Sequence, residues 1–513
     1  MSLTESNPGT DPLPRAGHAA HAGLPTDQAV VAPPPPDPAA DPNRDRGGAD
    51  RDEAPQPVTA DPQCEDPSTQ SAPATVTVRA DAPKPKPATN GRRDVSVVEP
   101  PKKELIRPPT PEEIVDQLRF MFAVGIECSN PVIANGHRVD ELEATGHYEH
   151  WKKDLKLVRG LGLKYLRYGP PNHRIWKDRG VYDWSGLDPV MEEMQRLGIR
   201  PIIDFVHFGL PDWLGTFQNP EWPYHLADYA AAFCERYPWV RFFCPVNEIY
   251  VTAQFSAAFG WWNERQMSDH AFVTNIKHCV KASVLSMKAV LRLRPDAIFI
   301  FSESTEYVHP GSPKMVQHAQ FLNERRFLSL DLLFGHDVSA TMYRYLLHSG
   351  MTTEEYLWFR EQAPEMRSHC IMGTDYYITN EHVVRDDGTT IGAGDVYGYY
   401  VITRQYFDRY RLPVMHTETN RVSNHSVEWL WKEWMNLLRL REDGVPIVGF
   451  TWYGLVDMKD WDTALTKAQG HTNKVGLFTL DRNERKVARE YRKLVESFSH
   501  LPISSSKFPI LTA

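Results

Sequence analysis

From residue 120 onward the chain alternates between short apolar runs and longer segments in which apolar residues recur every three or four positions. The apolar runs fall at 120–126, 164–168, 201–207, 240–246, 297–301, 369–373, 412–416 and 446–452. Each is short and rich in aromatic and branched residues, and each reads as a strand. Between them lie amphipathic segments. In HYEHWKKDLKLVRGLG, Trp151, Leu155, Val158 and Leu161 share one helical face, and Gly160 and Gly162 can end it. Leu187, Val190, Met191, Met194 and Leu197 form the next face. Further helices are predicted over 224–237 and 270–293, within 316–359, ending near Tyr410, over 427–440 and over 484–498. Strands that alternate with helices predict a parallel sheet covered by helices. A count of eight favours closure into a (β/α)8 TIM barrel of the α/β class over an open sheet.

Composition changes the picture at the N-terminus. The chain has 513 residues, yet no Phe, Tyr or Trp precedes Phe120, and 22 of the 41 prolines lie in the first 110 residues. Such a segment has too little to bury to offset its ordering entropy. Residues 1–108 are therefore expected to be a disordered Pro-rich tail, 109–502 the barrel domain and 503–513 a C-terminal tail. The net charge of −9 and the lack of a basic stripe in the folded part argue against a nucleic-acid partner. Six cysteines are scattered, with no CxxC pair to suggest a metal site. Cys128, Cys244 and Cys370 end apolar runs, where buried free thiols are expected, as in a reducing compartment. No signal-peptide pattern and no membrane-length apolar stretch is present, so the expected location is cytoplasmic, with no membrane contact.

In a barrel of this kind the chemistry sits where strands run into the following loops. The polar residues there are Asn130, Arg167, His207, Asn247 with Glu248, Ser302 with Glu303, Asp375 with Tyr376 and Tyr377, Glu418 with Asn420, and Trp452. Carboxylates and amides suit the hydroxyls of a sugar, and aromatic faces suit its C–H surfaces. Cleaving a glycosidic bond takes two carboxyl groups across the bond, one to protonate the leaving oxygen and one to attack or to activate water. Glu248 and Glu418 end the fourth and seventh strands, on opposite sides of a barrel. A lone Glu at a strand end is more often a cap or an ion-pair partner; two in polar clusters are harder to explain so.

The segment from about residue 120 to 500 resembles glycoside hydrolase family 1, the β-glucosidase type. HYEHWKKDLKLVRGLGLKYLRYG is similar to the family's first helix and second strand, and places Arg167 beside the nucleophile. HFGLPDWL resembles HWDLP, with His207 as a glycone-binding residue. CPVNEIY resembles TFNEP, making Asn247 the residue that bonds the 2-hydroxyl and Glu248 the acid/base. GTDYY resembles GLNYY and gives Tyr377 as the tyrosine that orients the nucleophile. HTETN resembles the TENG block, with Glu418 as nucleophile. WYGLVDMKDWD followed by KVGLFTLD resembles the last strand and sugar-binding loop, placing Trp452, Asp460 and Trp461 at glycone contacts. Six blocks keep the family's order over about 380 residues. The departures cluster at the sugar. Asn130 stands for Gln and Asp460 for Glu, both one methylene shorter at positions that grip outer hydroxyls. Ile249 replaces a proline, Phe208 and Gly209 alter the HWD block, and Asp375 replaces Asn.

The resemblance implies a retaining β-glycosidase whose sugar need not be glucose, working by double displacement without metal or organic cofactor. Arg167 is expected to hold Glu418 ionised, and Tyr377 to fix its rotamer. A transglycosidase using the same glutamates, or a non-catalytic sugar-binding barrel, are the alternatives. His150, His270 and His278, and the cluster Trp429, Trp431 and Trp434, fall at helical spacing and read as surface or packing residues. Trp261 and Trp262 are as consistent with packing as with aglycone contact, and Glu303 is kept out of the catalytic set.

Overall fold

Eight strands carry the fold: β1 (Met121–Gly125), β2 (Tyr165–Tyr168), β3 (Arg200–Val206), β4 (Phe242–Val246), β5 (Ile298–Phe301), β6 (Cys370–Asp375), β7 (Val414–Glu418) and β8 (Ile447–Tyr453). They belong to a computed structural model that describes residues 119–503. The expected tail 1–108 and residues 504–513 lie outside the described residues. Apart from Arg200 at its start, every residue of these strands is buried, as parallel strands under a helical layer require. Each strand pairs with its neighbours in chain order, and β1 closes the ring by pairing with β8, Met121 opposite Gly449.

Period-two alternation sorts each strand's residues between two cores. Met121, Ala123, Tyr165, Ile202, Phe242, Ile298, Ile300, Ile371, Met415 and Val448 fill the barrel. Ile503 joins them and is buried. Arg119 and Phe120 pair with the segment at 501–502 and draw it onto the barrel floor. The alternate residues, such as Phe122, Val124, Phe205, Phe299 and Phe450, face the helices.

The helices His147–Gly160, Asp188–Leu197, Trp222–Arg236, Asp269–Leu293, Gly398–Tyr410, Ser426–Glu442 and Lys486–Phe498 match the predicted amphipathic segments. Ser268 caps the longest by accepting from Ala271 N. The predicted helical stretch before β6 is four helices, from Val316–Arg325 to Thr353–Met366. Beside it lies a three-stranded sheet of Tyr307–Pro310, Glu381–Val384 and Thr390–Gly392 that the alternation of runs does not reveal. Trp434 is fully buried among Phe120, Phe122, Phe450 and Phe498, so it packs rather than binds.

The same alternation positions the site. Two residues beyond the inward-facing Tyr165, Ile202 and Ile300 come Arg167, Asp204 and Ser302; four beyond Ala123 and Ile371 come Glu127 and Asp375. A ring of polar side chains thus caps the apolar filling at the C-terminal end of the strands.

Candidate active site

Arg167 stands at the centre of this ring. Its guanidinium bonds Glu418 Oε1, Asn247 Oδ1 and, at 3.0 Å, Asp204. It is 1% exposed and cannot be left without partners at that depth. Glu418 Oε2 accepts from Tyr377 Oη at 2.7 Å, so both carboxylate oxygens of Glu418 are held. His207 Nδ1 lies 3.2 Å from Asp204 Oδ2, and its Nε2 lies 3.2 Å from Asn247 Nδ2. Arg167, Asp204, His207, Asn247, Glu418 and Tyr377 therefore form one continuous network. Asp204 is the member the sequence reading missed; its signal was a carboxylate in the inward register of an otherwise apolar strand.

Glu248 enters from the other side. Its backbone adopts φ 36°, ψ 68°, a left-handed conformation that costs a non-glycine residue about 1–3 kcal/mol and persists only where its surroundings hold it. They do: Glu248 N–H donates to Ser302 O at 2.9 Å, and Thr252 N–H donates to Glu248 O at 2.8 Å. Glu303, bonded to Ser329 Oγ at 2.7 Å, accepts from Tyr250 N–H at 3.1 Å and pins the turn. Glu303 thus supports the turn, and burial pushes its carboxyl up to about 8. The carboxyl groups of Glu248, Asp375 and Glu418 each bring an oxygen within 4.8 Å of the others. Burial, then the charge of Glu418, raises the Glu248 carboxyl well above the usual glutamate range. The Glu248 carboxyl thus faces Glu418, itself held by a guanidinium and a phenol.

The glycone side departs from expectation at three of the named residues. Trp452 is fully buried, packs in the outer core and donates from Nε1 to Val475 O at 3.1 Å. Tyr453 takes the inward place instead, its ring 6.1 Å from His207 and nearly parallel to it, with the Arg167 guanidinium 5.4 Å from its centroid. The reason is register: side chains switch faces at each residue, so a one-residue offset exchanges pocket for core. Gly125 makes room, since a Cβ there would fall 2.0 Å from the Tyr453 ring. Asp460 is also held away. Its carboxylate accepts from the backbone N–H groups of Gln469, Gly470 and His471 at 2.7–2.8 Å and lines a cavity of about 210 Å³ with Arg138, Glu141 and Lys467. Asn130 is turned inward: its Nδ2 is 3.5 Å from Cys128 O, its Oδ1 is buried without a partner among the described residues, and a Cβ on Gly209 would meet it at 2.1 Å. Trp461, by contrast, packs against Phe208 and Trp262, and its buried Nε1–H has no protein acceptor among the described residues. A second residue not anticipated, Glu127, faces inward beside Ser129, which donates to it from both N–H (2.8 Å) and Oγ.

Two substitutions separate Trp452 from Tyr453. Trp452→Ala is expected to lower stability by about 3–5 kcal/mol through the cavity it leaves, read as a fall in Tm. Tyr453→Ala is expected to raise KM about tenfold, ~1.4 kcal/mol of lost sugar contact. Equal KM changes in the two variants would contradict the placement.

Three of the other aromatic and titratable residues bond within the protein. Trp262 is buried and donates to Ala464 O at 3.0 Å; Trp429 donates to Thr419 Oγ1 at 2.8 Å; His278 Nδ1 lies 2.8 Å from Phe217 O. Cys128, Cys234, Cys244, Cys279 and Cys370 are buried free thiols. Two groupings could offer ligands to a cation, Cys128–Asp204–His207 and Glu248–Asp375–Glu418; in each, Arg167 already pairs with a member carboxylate. No helix among the described residues is long and apolar enough to cross a membrane.

The sequence profile of glycosyl hydrolase family 1 matches residues 128–390. A 6-phospho-β-glucosidase of Clostridium longisporum is 23% identical over 414 residues, covering 68% of this chain and 85% of that protein. β-Glucosidase A of Thermotoga maritima is 21% identical over 385 residues, covering 67% and 83%. Among solved structures, the family 1 β-glucosidase of Thermotoga maritima in complex with isofagomine lactam superposes with a TM-score of 0.64 at 18% identity, covering 74% of this chain and 98% of that one.

Proposed function

Since the chain belongs to glycosyl hydrolase family 1 and is a β-glucosidase-like glycoside hydrolase, we propose that it cleaves β-glycosidic bonds with retention, Glu418 acting as nucleophile and Glu248 as acid/base. The observation that carries this reading is the approach of the two carboxyl groups, with oxygens within 4.8 Å. Retaining enzymes hold the pair about 5–5.5 Å apart, whereas inverting ones leave roughly 6.5–9.5 Å for a water.

In the first step a Glu418 oxygen attacks the anomeric carbon, the bond to the aglycone oxygen breaks, and Glu248 gives that oxygen its proton. In the second, Glu248, now a carboxylate, takes a proton from water; the water oxygen bonds to the anomeric carbon, and the bond to Glu418 breaks. Arg167 pairs with the charge of Glu418 when it is free, and Tyr377 fixes its rotamer. Asn247 keeps one Nδ2–H for the 2-hydroxyl after bonding His207. The free Nε1–H of Trp461 suits another hydroxyl. None of these steps calls on a metal or an organic cofactor.

The sugar is read from what has been withdrawn. Of the two residues at the positions for the outer hydroxyls, Asp460 spends its carboxylate on loop N–H groups, while Asn130 is turned inward with only a 3.5 Å contact from its Nδ2. Glu127, Glu141 and Asp460 are buried acidic groups, and burial, then the charge of Glu127, raises the Glu141 carboxyl. Of the cations lining the cavity beside Asp460, Arg138 is already paired with Asp212, and Asp460 sets a carboxyl where a phosphate would need a cation, so the glycone is read as an unphosphorylated sugar, unlike that named for the Clostridium relative. The buried free thiols fit a reducing, cytoplasmic setting. A panel of aryl β-glycosides, neutral and 6-phosphorylated, tests the reading. Release of aryl alcohol from at least one neutral sugar, with the β anomer formed first by NMR, is expected. Turnover of phosphorylated substrates alone would overturn the sugar assignment, and an α anomer formed first would overturn the mechanism.

A further inference from the structure

Asp375 lies closer to the chemistry than a supporting residue requires. It ends β6 in the inward register, is fully buried, and brings a carboxyl oxygen within 4.8 Å of both Glu248 and Glu418. Its Oδ2 accepts from Ser302 Oγ at 2.6 Å, and its Oδ1 is buried with no hydrogen-bond partner among the described residues. An amide of the same shape would fill this space without charge. We propose that Asp375 is a third working carboxyl of the site, a positioning residue that keeps the proton on Glu248 by placing its own charge beside it, and so extends acid catalysis to higher pH. The inference rests on Glu248 being the proton donor.

The groups that face Asp375 decide the sign. Glu418 on β7 brings negative charge and Arg167 on β2 positive charge; Glu248 after β4 and Glu303 after β5, both pushed up, add negative charge only once ionised; the phenols Tyr377 and Tyr399 stay neutral. Burial, then Glu418, pushes the Asp375 carboxyl up to about 8, with Arg167 and Ser302 pulling the other way. Below that range Asp375 is a neutral acid and leaves the pair undisturbed. Above it Asp375 carries a charge, which adds to that of Glu418 and makes loss of the Glu248 proton harder. Burial and the charge of Glu418 thus raise both Glu248 and Asp375, and an ionised Asp375 opposes ionisation of Glu248 further.

The test is the pH profile of kcat/KM for the wild type and Asp375→Asn on one aryl β-glycoside. The alkaline limb of the variant is expected about one pH unit lower, while the acid limb stays in place because Asp375 is neutral there. A purely structural role would instead scale the rate at every pH. An unmoved alkaline limb, or one moved upward, would overturn the proposal. A second reading uses the wild type without substrate: ¹³C-labelled aspartate should show one carboxyl resonance titrating far above the ordinary aspartate range. If every aspartate titrates below pH 6, the proposal is wrong even where Asp375→Asn fails to fold. A wild type that turns over no glycoside leaves this second arm readable and speaks only against the hydrolytic reading.

Discussion

Glu418→Gly abolishes turnover, with an expected loss on the order of 10⁴-fold or more, the scale seen when a covalent nucleophile is removed and only binding and electrostatics remain. The reason lies in how fully the surroundings are built for this carboxylate. Arg167 and Tyr377 both converge on it, and glycine leaves a small cavity lined by a guanidinium and a phenol. An anion of the right size is drawn to that cavity. Azide should therefore restore turnover and attack the anomeric carbon from the face Glu418 used. Because no second displacement follows, the product is a glycosyl azide of inverted anomeric configuration, which NMR reads directly. Turnover near the wild-type rate without azide would remove Glu418 from the mechanism.

Glu248→Gln has the second largest effect, and its size depends on the leaving group. A glutamine keeps the shape of the side chain and loses the proton, so substrates with poor alkyl leaving groups should slow by about 10²–10⁴-fold. A dinitrophenyl glycoside needs no proton to depart, so its first step should remain fast. The second step lacks a base for the attacking water, so the glycosyl-enzyme accumulates and dinitrophenol appears in a burst equal to the enzyme concentration. An equal slowing on both classes of substrate, without a burst, would mean that Glu248 does not transfer the proton. The backbone of Glu248 makes the comparison clean, because its left-handed turn is held by Ser302 O and by Glu303 acting on Tyr250, contacts that a glutamine preserves.

Much of this was legible in the sequence because barrels convert linear spacing into geometry. All eight strands lie within a few residues of the predicted runs, and Arg167, His207, Asn247, Glu248, Tyr377 and Glu418 meet at one end because strand ends must. What failed did so where one residue or one backbone bend decides the outcome. The expected pocket residue Trp452 faces the helices and Tyr453 faces the site. The pairing of β7 with β8 shifts register between Val414 and Met415, and alternation read from the apolar run alone does not carry that shift. Asp460 could be named, but not its capture by the amides at 469–471, which depends on how that loop folds back. Asp204 and Glu127 were passed over because only the inward register of each strand turns them into the pocket, and Asp204 meets Arg167 only once β2 and β3 pair. Asp375 was read as a strand-end residue and a departure from a motif; its proposed role rests on the distance to two glutamates far away in the chain.

The central claim is that Glu418 forms a covalent bond to the sugar, and trapping tests it most directly. An activated 2-deoxy-2-fluoro β-glycoside slows both steps but leaves the first fast enough, through its good leaving group, for the intermediate to persist. After incubation, proteolysis and mass spectrometry, the added glycosyl mass is expected on the peptide containing Glu418 and on that residue alone. A substrate that is hydrolysed normally while its fluorinated form leaves no adduct, or an adduct on any other carboxylate, would contradict the account.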